Sequence, residues 1–94
     1  VSGQRIDVWL HRARFAKTRA AAARLVAEGG IRLTRQGLSR RVEKPSVELE
    51  AGDALLLTLN GRMLAVRVLA LPKRRGPTAE SRAAFSELDA EALA

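Results

Sequence analysis

A chain of 94 residues with 47% apolar and 29% charged side chains is long enough for one domain with one modest core, and its composition is ordinary for a folded protein. It has no cysteine, which excludes disulfides, thiolate metal sites and a cysteine nucleophile and is compatible with a reducing compartment. No apolar run is long enough to span a bilayer, so no membrane partner is expected; a start at Val1 suggests that an initiator or short leader was removed, and the expected location is cytoplasmic.

The net charge of +7 is unevenly spread. Residues 1 to 44 carry eleven Lys or Arg against Asp7, Glu28 and Glu43, whereas residues 45 to 94 carry six against seven acids. Nucleic acid is the polyanion that such an asymmetry most often serves; a membrane surface or generic solubilising charge are the blander readings.

In chain order, Ile6, Trp9, Leu10 and Ala13 fall at i, i+3, i+4 and i+7, which predicts an amphipathic helix over about 5 to 14 with Trp9 facing the core. Phe15 and Ala16 form a short connection. Thr18 then suits an N-cap and Gly29 a left-handed helix end, so a second helix is expected over about 19 to 28, with Ala22, Leu25 and Val26 on its apolar stripe. Arg14, Lys17 and Arg19 crowd the positive end of that helix. Cations there oppose the dipole, at a cost of up to about 1 kcal/mol each, and a bound phosphate would explain their placement.

After Gly30 the period becomes two. Ile31 and Leu33 point inward and Arg32 and Thr34 outward, followed by a turn at Arg35-Gln36-Gly37. Leu38 to Val42 reads as an interrupted strand plus loop, Lys44-Pro45-Ser46 as an extended or turn segment, and Val47 and Leu49 alternate with Glu48 and Glu50. Gly52-Asp53 marks a turn before a strand over 54 to 59. Asn60-Gly61 predicts a tight hairpin into a strand running from about Met63 to Leu71, with Arg62 and Arg67 on its far surface. Pro72 stops it, residues 73 to 77 form a basic linker, and Thr78 suits an N-cap for a helix over about 79 to 88, ahead of an acidic, frayed tail from Asp89.

Catalytic chemistry finds little support. His11 is the sole histidine, and no metal or other cofactor is expected. Asp7 and His11 read as a surface i,i+4 pair, while Glu48, Glu50 and Asp53 read as solvating charges. The glycines form neither a phosphate loop nor a dinucleotide fingerprint. With only Trp9, Phe15 and Phe85 as aromatics, binding by base stacking is disfavoured, and recognition of RNA shape and phosphate remains.

Arg5-Ile6-Asp7-x-x-Leu10, Lys17-Thr18-Arg19-x-x-Ala22-x-x-Leu25-Val26-x-x-Gly29, Ile31-Arg32-Leu33, Lys44-Pro45-Ser46 and Gly52-Asp53 resemble, in order and spacing, the RNA-binding domain named after ribosomal protein S-four. Trp9, the Ala-Arg-Phe-x-Lys-Thr-Arg run and Arg74-Arg75-Gly76-Pro77-x-x-Glu80 are similar to its heat-shock-protein-fifteen branch. The resemblance implies an α+β fold, an αα-hairpin packed on a small, mostly antiparallel sheet with a short C-terminal helix. The domain itself would span 5 to 71, with the linker, helix and tail over 72 to 94.

By resemblance, Arg5, Arg14, Lys17, Thr18, Arg19 and Arg24 would contact the RNA backbone, with Arg32 or Arg35 at the rim; Arg12 belongs to the same basic surface. The implied protein is a monomeric, non-enzymatic binder of structured RNA, chiefly ribosomal RNA of the large subunit, acting with tRNA on stalled subunits in their recycling. An RNA-targeting domain cut from a modifying enzyme or tRNA synthetase, and a DNA-binding nucleoid protein, are the competing expectations.

Overall fold

The computed structural model describes residues 3–28 and 30–88. Gly29, expected to end the second helix, and the tail from Asp89 lie outside the described residues. The architecture is α+β, and two helices pack side by side on one face of an antiparallel sheet, as the sequence leads one to expect.

A short strand β1 (Gln4–Arg5) leads into α1 (Ile6–Arg12), and α2 (Arg19–Ala27) follows. α1 is shorter than its periodicity suggests because Arg14 turns left-handed, with φ of 68°. Phe15 N–H then donates to Leu10 O at 2.9 Å and Arg14 N–H to His11 O at 3.1 Å, the paired backbone bonds that close off a helix end. α2 begins as predicted: Thr18 Oγ1 accepts from Ala21 N–H at 2.9 Å.

The main sheet has the order β3-β2-β5-β6-β7, comprising β2 (Ile31–Arg35), β3 (Leu38–Arg41), β5 (Ala54–Leu59), β6 (Arg62–Val68) and β7 (Phe85–Leu88), all neighbours antiparallel. β4 (Glu48–Leu49) pairs only with β1. The uncertain stretch after Leu38 is therefore a regular strand. Gln36 (φ 52°) and Gly37 (φ 79°) make a tight two-residue turn, matched by Asn60 (φ 51°) and Gly61 (φ 77°) in the predicted second hairpin.

The expected C-terminal helix is cut short and its second half is a strand. α3 spans only Thr78–Arg82, capped by Pro77 rather than Thr78, and Phe85–Leu88 adds to the free edge of β6. Pairing with β6 satisfies backbone groups along an edge and places Phe85 against Phe15, centroids 4.7 Å apart, and Trp9, 6.4 Å away. That tertiary gain outweighs the helical propensity of an alanine-rich stretch.

Trp9 is the hub of the core. It is fully buried, stacks on Phe15 at 5.6 Å, and its indole N–H donates to Ala70 O at 3.0 Å. Ile6, Leu10 and Val26 from the helices meet Ile31, Leu33, Leu55, Leu57, Val66 and Val68 from the inner sheet face. Truncating Trp9 to Ala should cost about 3 to 5 kcal/mol, a large share of the stability of so small a domain. A melting temperature near that of the wild type would show that the indole is not the centre of packing.

Candidate RNA interface

Asp7 lies in the first turn of α1 and is only 4% exposed. Its Oδ1 accepts from Val8 N–H at 2.8 Å and from Arg5 Nε at 3.1 Å, while Oδ2 accepts from Arg5 Nη2 at 3.1 Å and lies 3.5 Å from Arg19 Nη2. One carboxylate thus joins the residue before α1 to the first residue of α2. It does not pair with His11, as the four-residue spacing suggests; the two arginines supply stronger charge-assisted partners. The side chains of Arg5 and Arg19 remain 48% and 57% exposed, so each guanidinium keeps donors facing solvent.

Along α2, Lys17 and Arg24 flank a shallow groove floored by Phe15, Ala21, Leu25 and Leu59, with Glu28 also on its wall. Both cations are exposed, and neither has an ion-pair partner among the described residues. Thr18 sits between the groups, its hydroxyl committed to the cap. Arg5 and Arg19 thus meet on Asp7 at the start of α2, Lys17 and Thr18 immediately precede that helix, and Arg24, in its last turn, shares the groove with Lys17.

The remaining candidates are not part of this cluster. Arg14 donates through Nε and Nη2 to Gly76 O at 3.0 and 2.8 Å, and Arg12 through Nη1 to Pro72 O at 2.7 Å. Both hold the segment after β6 against α1, and Arg75 returns the contact by donating to His11 O at 3.0 Å. Arg35 donates to both oxygens of Asp53 at 2.8 and 2.7 Å and lies 3.3 Å from Glu50. Its hydrogen bonds to Asp53 raise its pKa against the opposing effect of burial, with the charges of Asp53 and Glu50 adding to the rise. Asp53, read from sequence as a solvating charge, is 2% exposed and also accepts from Glu50 N–H at 2.8 Å. Arg35 is thus held in an ion pair with the buried Asp53 and stands apart from the α2 cations. Arg32 alternates with buried Ile31 and Leu33 and so projects from the sheet face opposite the helices.

Sequence reasoning missed Asp7 as the organiser of Arg5 and Arg19, because its partners lie two residues before and twelve after it. No local spacing rule links such positions.

Residues 4–33 match the S4 domain family. A solved structure described as trimeric Vibrio cholerae Heat Shock Protein 15 superposes with a TM-score of 0.80 at 26% identity, covering 93% of this chain and 83% of that one. Both matches support an S4 RNA-binding domain of the heat-shock-protein-15-like type. The family match spans β1, both helices and the first three residues of β2, and so contains every residue of the cluster around α2.

His11, near the end of α1, has its pKa lowered below 6.5, first by burial and then by the charges of Arg75, Arg12 and Arg19. The unfolded chain therefore takes up a proton more readily, and the neutral ring's contribution to stability is complete above about pH 6.5 and is lost as pH falls through that value towards the folded pKa. His11→Gln should show a smaller drop in melting temperature between about pH 7.5 and 5.5 than the wild type. An identical drop in both would show that His11 does not contribute to acid sensitivity.

Proposed function

We propose that this protein binds structured RNA through the surface around the start of α2, without catalysing a reaction. The observation that carries the reading is the arrangement of that surface. Lys17 and Arg24 stand exposed along α2 without an ion-pair partner among the described residues, Asp7 holds Arg5 and Arg19 at the start of the same helix, and all lie within the S4 match. Backbone N–H groups at the first turn of α2, beyond the one bonded to Thr18, add donors suited to a phosphate.

Similarity to Vibrio cholerae Heat Shock Protein 15, together with the S4 match, supports a ribosome-associated role. The finer reading is a contact with ribosomal RNA of the large subunit, with tRNA on a stalled subunit as a second partner, in the recycling of such subunits inside the cytoplasm. A single chain suffices for the α2 surface, since every residue in it comes from one copy; the Vibrio cholerae protein is described as a trimer.

Phosphate recognition of this kind is electrostatic. If about four to six phosphates are neutralised, log K should fall with log salt at a slope of roughly −3 to −5. Lys17→Ala with Arg24→Ala should leave the melting temperature unchanged and weaken binding of a ribosomal RNA hairpin by about 10- to 100-fold, a loss of about 1.4 to 2.7 kcal/mol. Arg67→Ala with Arg82→Ala removes the same formal charge elsewhere and should weaken it clearly less. Anisotropy titrations at one salt concentration make the comparison; equal losses would mean that net charge alone attracts the RNA. Duplex DNA competing as well as the RNA hairpin would contradict the RNA assignment.

A further inference from the structure

A second group of cations lies on the far side of the sheet. The tight turn at Gln36-Gly37 fixes the register of β2 and β3 so that Arg32 stands directly opposite Arg41, and Thr34 opposite Ser39. Val42 N–H donates to Ile31 O at 3.0 Å, which makes the neighbouring Arg32–Arg41 pair one of the non-hydrogen-bonded kind, whose side chains stand closest. Ile31, Leu33 and Val42 point into the core, so Arg32 and Arg41 project from the face turned away from α1 and α2. Thr34 and Ser39 share that face as the next pair along the ladder.

Like charges directly opposite on a sheet destabilise it. Both arginines are exposed, and neither has an ion-pair partner among the described residues. The next residue across the sheet on this face is Leu56, which offers no compensating charge. Cations on β3 alone would serve to keep an edge strand from pairing with other chains. That purpose does not account for Arg32, which lies on an interior strand. Two guanidinium groups and two hydroxyls on one exposed patch instead match the donors that grip a phosphate.

We propose that Arg32, Arg41, Thr34 and Ser39 form a second RNA-phosphate site, so that one copy of the protein holds two RNA segments, one on the α2 surface and one on the opposite sheet face. The inference rests on the RNA-binding reading of the α2 surface. The protein extends 24 Å even along its shortest axis, and the sheet with its covering helices lies between the two sites, so a straight RNA helix seated on one face does not reach the other.

The test is the stoichiometry of a short RNA hairpin on the full chain, read by native mass spectrometry and by energy transfer between donor- and acceptor-labelled hairpins. The wild type should carry two hairpins on one chain and bring the labels together. Arg32→Ala with Arg41→Ala should carry one, lose the transfer, weaken the second binding step at least 10-fold, and melt at or above the wild-type temperature. Lys17→Ala with Arg24→Ala should retain the sheet-face step. One hairpin per wild-type chain, or two on the Arg32/Arg41 variant, would overturn the second site while leaving the α2 reading intact. If a polyglutamate peptide binds in an Arg32- and Arg41-dependent way while hairpin stoichiometry stays at one, the patch is a site for acidic protein and the proposal fails. If no hairpin binds at all, the RNA-binding reading fails first and this one with it.

Discussion

With the helices packed through the core, the salt bridge that gathers Arg5 and Arg19 on the buried carboxylate of Asp7 ties the start of α1 to the start of α2 and orients two cations of the basic surface. A carboxylate left alone at 4% exposure would be costly; here a backbone N–H and two guanidinium groups surround it. The arrangement also resolves a local conflict. Arg19 at the first position of α2 opposes the helix dipole, and Asp7, brought from the neighbouring helix, supplies the negative charge that the first turn of α2 lacks. Backbone bonds from Ile6 N–H to Val47 O and Asp7 N–H to Pro45 O seat the loop before β4 against the same helix start.

The cations of the first half of the chain thus divide by task. Arg12 and Arg14 bind carbonyls of the segment that follows β6, and with the Trp9-Phe15-Phe85 cluster they make the C-terminal part of the chain a working layer of the fold. Arg35 pairs with Asp53 and stiffens the bend between β4 and β5. Arg5 and Arg19 are oriented by an acid but keep free donors, and Lys17 and Arg24 are unpaired among the described residues. Net charge alone would rank all of them equally. Hydrogen-bond geometry separates those that build the protein from those available to a ligand.

The helix pair, the Thr18 cap, the Asn60-Gly61 hairpin and burial of Trp9 were legible in the sequence because each depends on spacing or on turn chemistry within a few residues. β7 was not, since Phe85 and Leu88 sit three apart and suit a helix as well as a strand; only the open edge of β6 and the aromatic cluster decide between them. The hydrogen-bond partners of the candidate site residues were legible only where they are local. Lys17, Thr18, Arg19 and Arg24 lie close together in sequence on or just before one helix, whereas the partners of Arg14 and Arg35 lie 62 and 18 residues away. Contacts of that separation leave no local mark on a sequence.

The account makes Asp7 an organiser of cations rather than a brake on RNA binding, and Asp7→Asn separates the two. The substitution preserves size and raises net charge, so attraction by charge alone predicts tighter binding to a ribosomal RNA hairpin. Orientation predicts the reverse: affinity should fall, by about 1 to 2 kcal/mol, as Arg5 and Arg19 lose their shared anchor. Anisotropy at fixed salt, on a variant shown by circular dichroism to be folded, gives the answer. Binding equal to or tighter than the wild type would contradict the central role assigned to this carboxylate.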